Sequence, residues 1–282
     1  MKMSGKAQYS ARISTVLLRD VKNYIYGNRC FIGIEIGAFL VAAMIADMQL
    51  PSHCHTYGIL DNFILLFRGV NPFTGAQGEV FQLPLSWFVL LYLCVYTSLS
   101  YPVHDATGFG LHILLHTNSR KQWWSSKFLA LILWNILYFS IGFAVLIVFR
   151  TIKSGGIIEW ISASFPLWTI SFPSAILLCL LPVLFGLLLS SVCLFASIFF
   201  SFAWGQIICI STLIIVAFTE TPVPFGSYSM TIRCNTITAG GLIEWHGIVL
   251  YLTLILLVFC VGQFSITQKD FISKSEVTLY ES

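Results

Sequence analysis

The chain has 282 residues, of which 57% are hydrophobic and only 10% charged, and its mean hydropathy is +0.85. A soluble domain carries about 25% charged residues, so a soluble globule of this composition could not cover its surface. Disorder, which needs low hydrophobicity and high charge, is excluded as well. A net charge of +3 offers no basic stripe for nucleic acid, and the composition predicts one all-α polytopic membrane domain over residues 1–282.

Met1 to Arg29 is polar and basic. Over residues 10–28, Ile13, Leu17, Val21, Tyr24 and Ile25 recur at helical spacing, with Arg12, Arg19 and Asn23 on another face. This predicts an amphipathic helix lying in the membrane interface; an ordinary cytosolic helix is the competing reading. Residues 30–48 form the first span. Their apolar run exceeds the roughly 7–15 residues of a signal peptide, so the span is retained. Further spans are expected over residues 83–101, 128–149, 174–196, 202–218 and 247–264. The fourth and fifth are separated only by Ser197–Ser201. Read as one helix they would be about twice the length a crossing needs, so a tight turn is placed near Ser201. Pro182 should kink the fourth span. Ile59–Phe67 is apolar but too short to span, and either lies on the membrane or packs on the spans.

Orientation follows the basic residues. With both termini cytoplasmic, the inside holds Lys2, Lys6, Arg12, Arg19, Lys22, Arg29, Arg120, Lys121, Lys127, Lys269 and Lys274, eleven of the fifteen Lys and Arg. Arg68, Arg150, Lys153 and Arg233 fall outside. Six spans are therefore expected.

Motifs for chemistry are mostly missing. The eight Cys include no CxxC pair, which removes the usual zinc-ribbon and thioredoxin signatures. H-E-x-x-H and G-x-S-x-G do not occur, so no enzyme is expected. No metal site is expected either. His53-Cys54-His55 is the densest ligand cluster, and three adjacent residues do not readily close a tetrahedral site. Cys54 and Cys234, both placed outside, could form a disulfide, with free thiols as the default. Glu35 lies inside the first span, where a carboxylate is expensive. It reads as a substrate or proton site, or, as the favoured alternative, as a structural partner to a neighbouring span or to the interfacial basic residues, with snorkelling toward the inner face open to it. Asn135 and Gln206 could line a path or serve as inter-helix hydrogen bonds.

The stretch between the second and third spans, YPVHDATGFGLHILLHTNSRKQWWSSKF (Tyr101–Phe128), joins a short amphipathic segment to a basic cluster and a Trp pair. It resembles the inner loop of the type-2 exporter permeases of the ATP-binding-cassette transporters, in which a Tyr and an Asp precede a short helix and a basic S-R-x-x-W-W-x-x-K stretch opens the third span. Gly226-Ser227-Tyr228-Ser229-Met230 with Arg233 is similar to the G-N-Y-x-M-x-x-R stretch before the last span of those proteins, with Ser227 in place of Asn. The six-span layout with an N-terminal amphipathic helix matches too.

The resemblance implies a permease that pairs with a second permease subunit, identical or not, and docks through its inner loop on a separate ATPase. His104, Asp105, Phe109, Leu111, His112, Leu115 and Arg120 would belong to the coupling element. Arg12, Leu17, Arg19 and Tyr24 would belong to the interfacial helix. The chain has no GxxxxGK[ST] stretch, so ATP and Mg²⁺ are expected in the partner and no cofactor in this chain. The location expected is a bacterial cytoplasmic membrane. The apolar body fits a hydrophobic or amphipathic cargo such as a peptide, bacteriocin or drug. An ion-gradient-driven secondary carrier and a non-transporting membrane immunity or scaffold protein are the alternatives.

Overall fold

The computed structural model describes residues 5–48, 59–71, 82–107, 120–154, 164–165, 168–219 and 225–268. Seven helices hold most of them: α1 (Gly5–Met48), α2 (Ile59–Leu66), α3 (Leu85–Thr107), α4 (Arg120–Ser154), α5 (Phe172–Phe199), α6 (Phe202–Phe218) and α7 (Glu244–Gln268). A two-residue antiparallel pair, β1 (Ser164–Phe165) with β2 (Trp168–Thr169), precedes α5. Two 3-10 turns, Phe225–Ser229 and Thr231–Arg233, precede α7.

Five helices (α1, α3, α4, α5 and α7) are long and apolar enough to cross a membrane. The fifth expected span, α6, has the predicted bounds but only 17 residues, about 25 Å at the α-helical rise. Most other helices run past the expected limits. α3 continues through Pro102 to Thr107 and α4 begins at Arg120, because the polar residues beyond the apolar runs find partners inside the protein. α5 is the central element, packed on α3, α4, α6 and α7. The short α2 has nearly every residue buried against α1, α4 and α5, which settles the reading of Ile59–Phe67 in favour of packing on the spans.

The expected division between an interfacial helix over residues 10–28 and a first span from residue 30 does not show as a break in the helix. α1 is one helix of 44 residues, about 66 Å long. No proline or cap interrupts it. Asn28 does not cap a helix end; its amide donates to the Thr97 carbonyl at 2.9 Å. Asp20, Tyr24 and Asn28 of this segment turn toward α3 and α4, while Lys22, Asn23 and Arg29 stay exposed. Tyr24 is buried, stacks on Trp134 and donates its hydroxyl to the Ser98 carbonyl.

Close helix contact relies on glycine at a few positions. A Cβ on Gly262 of α7 would collide with the Trp124 ring of α4, next to the bond from Trp124 Nε1 to the Phe259 carbonyl at 3.2 Å. By contrast, nothing lies within 4 Å of a Cβ on Gly37. Gly262→Leu should therefore lower stability in detergent by about 1–3 kcal/mol, while Gly37→Leu leaves it nearly unchanged. Thermal unfolding followed by circular dichroism checks both.

Candidate functional site

The residues on either side of segment 108–119 are held together by charge. Lys127, in the second turn of α4, is fully buried. Its Nζ lies 3.1 Å from Asp20 Oδ1 of α1 and 2.6 Å from Asp105 Oδ2 of α3. Asp20 is also fully buried and accepts from Ser126 Oγ at 2.7 Å, from Tyr101 OH at 2.9 Å and from Arg19 Nη2 at 3.0 Å. The Lys127 ammonium lies 4.5 Å from the centre of the Tyr101 ring and 5.7 Å from that of Trp123. Two cations thus answer two carboxylates, and aromatic faces cover the ammonium. Burying ions is tolerable only when they are paired and hydrogen-bonded in this way.

This joint ties three helices at the end of the bundle where α3 leaves and α4 returns. Above it a neutral network continues between the same helices. Trp134 Nε1 donates to Thr97 Oγ1 at 3.1 Å. Asn135 Nδ2 donates to Ser98 Oγ at 3.1 Å and to the Leu131 carbonyl at 3.0 Å, and Asn135 Oδ1 accepts from Cys94 Sγ at 3.2 Å. Arg120 Nη1 reaches the Thr267 carbonyl at 3.3 Å, and Gln263 Nε2 the Lys121 carbonyl at 3.2 Å, so α7 is fastened to the start of α4.

At the opposite end one side chain closes the structure. Arg233 Nη1 donates to the carbonyls of Val216 at 3.0 Å and Thr219 at 3.1 Å, Nη2 to that of Ala217 at 3.1 Å, and Nε to that of Val70 at 2.9 Å. The guanidinium caps the carbonyl end of α6, where a cation also meets the helix dipole favourably. Burial pulls its pKa down to about 10, which leaves it charged at neutral pH. The preceding residues serve the same closure. Ser227 Oγ accepts from Arg233 Nη1 at 3.2 Å, and Ser229 Oγ accepts from Trp87 Nε1 at 3.0 Å. Tyr228 packs so closely on α7 that a Cβ on Gly247 would lie 2.7 Å from its ring.

The expected site residues distribute as follows. Asp105 and Arg19 belong to the ionic joint, and Tyr24 lies beside it. His104 is exposed in the last turns of α3, and Arg120 opens α4. Phe109, Leu111, His112 and Leu115 lie outside the described residues. Arg12 and Leu17 fall in α1, and their side chains lie outside what is described. Asn135 is a hydrogen-bonding link between helices. Gln206 of α6 is half-buried, and neither atom of its amide has a hydrogen-bond partner among the described residues. Glu35 does not snorkel; it is fully buried in the bundle. Asp20 and Lys127 were not expected here. The available signal was that Asp20 is the one acid in the basic N-terminal stretch.

Cys234 is a buried free thiol, pushed up by burial and by the nearby Glu244 charge; Cys54 lies outside the described residues, as does the His53-Cys54-His55 cluster. Among the described residues no group of three His, Cys, Asp or Glu could hold a metal ion. Compared with known protein families, with characterised proteins and with solved structures, the chain finds no match.

Two outcomes are expected from these clusters. Lys127→Met leaves two buried carboxylates facing each other and should destabilise the protein by about 3–5 kcal/mol. Adding Asp20→Asn to it should restore part of the loss, as read by a double-mutant cycle of thermal stability. Arg233→Lys should cost nearly as much as Arg233→Ala, at least about 1.5–3 kcal/mol, because an ammonium lacks the planar fork that reaches four carbonyls at once.

Proposed function

We propose that this chain is the membrane-spanning subunit of an ATP-driven exporter. It would cross a bacterial cytoplasmic membrane six times with both termini inside, pair with a second permease subunit and dock on a separate ATPase that supplies ATP and Mg²⁺. The observation that carries the reading is the Asp20–Lys127–Asp105 joint. It clamps both stems of the inner loop to α1, so a push on the loop would reach the spans directly. The folding of the Gly226–Arg233 stretch into a clasp across α3, α6 and α7 agrees with the resemblance that the sequence carries. The lipid-facing surface and the apolar helices favour a hydrophobic or amphipathic cargo.

One observation favours the secondary carrier as a second reading: Glu35, an acid buried in the bundle with no ion pair among the described residues. The two readings separate in reconstituted vesicles. The protein isolated gently from its native membrane should bring an ATP-binding-cassette ATPase with it, and Lys127→Met with Asp20→Asn should uncouple ATP hydrolysis from transport. Cargo movement by the chain alone, abolished by an ionophore and indifferent to ATP, would overturn the exporter reading.

A further inference from the structure

Glu35 lies in the C-terminal half of α1, about 22 Å along the helix from Asp20 and about 18 Å from Asp47 at the α-helical rise. Those two aspartates are paired, Asp20 with Lys127 and Asp47 with Arg150 and Lys153. Glu35 is fully buried, and neither of its carboxyl oxygens has a hydrogen-bond partner within bonding geometry among the described residues. No Lys or Arg among the described residues forms an ion pair with it. The groups that face it are Cys94 and Thr97 of α3 and Tyr138 of α4; of these Cys94 and Tyr138 are titratable and none is charged.

The donors around it are already engaged. Thr97 Oγ1 donates to the Cys94 carbonyl at 3.3 Å, and Tyr138 OH to the Leu90 carbonyl at 2.7 Å. Cys94 Sγ donates to Asn135 Oδ1, and both protons of the Asn135 amide are spent on Ser98 and Leu131. Ser98 Oγ donates to the Cys94 carbonyl at 2.6 Å. An ionised carboxylate would therefore sit in the apolar interior without a cation, with the Thr97 hydroxyl as the one donor near it, a costly arrangement for a charge in a bundle. A carboxyl group that keeps its own proton is neutral and needs no cation.

We propose that Glu35 is a proton-binding site between α1, α3 and α4. It holds its proton while these helices are packed. When they part and water enters, the O–H bond breaks, the electron pair stays on the carboxylate, and the proton passes to water. The proposal does not depend on the exporter reading: the site has the same chemistry whether the motor is an ATPase or an ion gradient.

Infrared spectroscopy of the full chain in lipid at neutral pH tests the bound proton. The protein should show the carbonyl stretch of a protonated carboxylic acid, sensitive to exchange into heavy water. Glu35→Gln should abolish that band, Glu35→Asp should keep it at a shifted position, and Asp61→Asn, altering another buried acid, should leave it. Labelling all glutamates with carbon-13 in the wild-type chain should shift the same band and requires no variant to fold. Loss of a carboxylate band alone in Glu35→Gln, or an acid band that glutamate labelling does not move, would overturn the proposal. Release is tested by stability against pH. The packed form binds a proton that the separated helices give up, so stability should fall as pH rises, and Glu35→Gln should reduce that slope. An identical slope in both proteins would remove the release step.

Discussion

Lys127 brings a full positive charge into the buried interior of the bundle, and water cannot follow it there. The charge has to be answered by the protein, and the answer comes from three helices at once: Asp20 of α1, Asp105 of α3, and the rings of Tyr101 and Trp123 on either side. Meeting that demand fixes the rotation of α1, since Asp20 must point inward. It also requires α3 to stay helical past Pro102, because Asp105 lies beyond it. The neutral contacts above the joint, from Tyr24 to Trp134 and from Asn28 to Thr97, then fall on the same faces.

The opposite end obeys the same rule with the roles reversed. There the unsatisfied groups are carbonyls at the end of α6, and a single cation is brought to them. Arg233 reaches them because the chain before it folds tightly. Thr231 and Ile232 donate their backbone N–H groups to the Phe67 and Arg68 carbonyls, both at 3.0 Å. Met230 then lies against Gly69, whose φ of +72° and missing side chain permit the approach. The two ends of the bundle are thus closed by one buried lysine and one buried arginine, each contributed by a polar stretch rather than by an apolar span.

The helices were legible in the sequence because crossing a bilayer demands a long apolar run, and that run is hard to mistake. Their ends were less so, since an apolar window stops at the first polar residues while the helix goes on wherever those residues find partners. α1 shows this best: Gly27, Asn28 and Arg29 look like a boundary, yet Asn28 is bonded to α3 and nothing breaks the backbone. The ionic joint could not be read because its members are far apart in the chain, and Asp20 next to Arg19 looks like an ordinary surface pair. Arg233 was singled out only through a family resemblance, since nothing in its local sequence shows that its partners lie at the end of α6. Glu35 was conspicuous as a charge in a span, but its direction, toward the bundle and not toward the basic residues below it, depended on how α1 is rotated.

The shortness of α6 has a consequence for the surrounding lipid. It turns back from α5 at Ser201 and is capped by Arg233 at its other end, so it cannot extend by unwinding its neighbours. On the six-span reading its apolar length of about 25 Å falls roughly 5 Å short of a typical hydrocarbon core. Each ångström of such a mismatch costs a fraction of a kcal/mol in bilayer deformation. The membrane would be pinched beside this one helix, and a neighbouring protein surface that spared the lipid this thinning would be drawn to it.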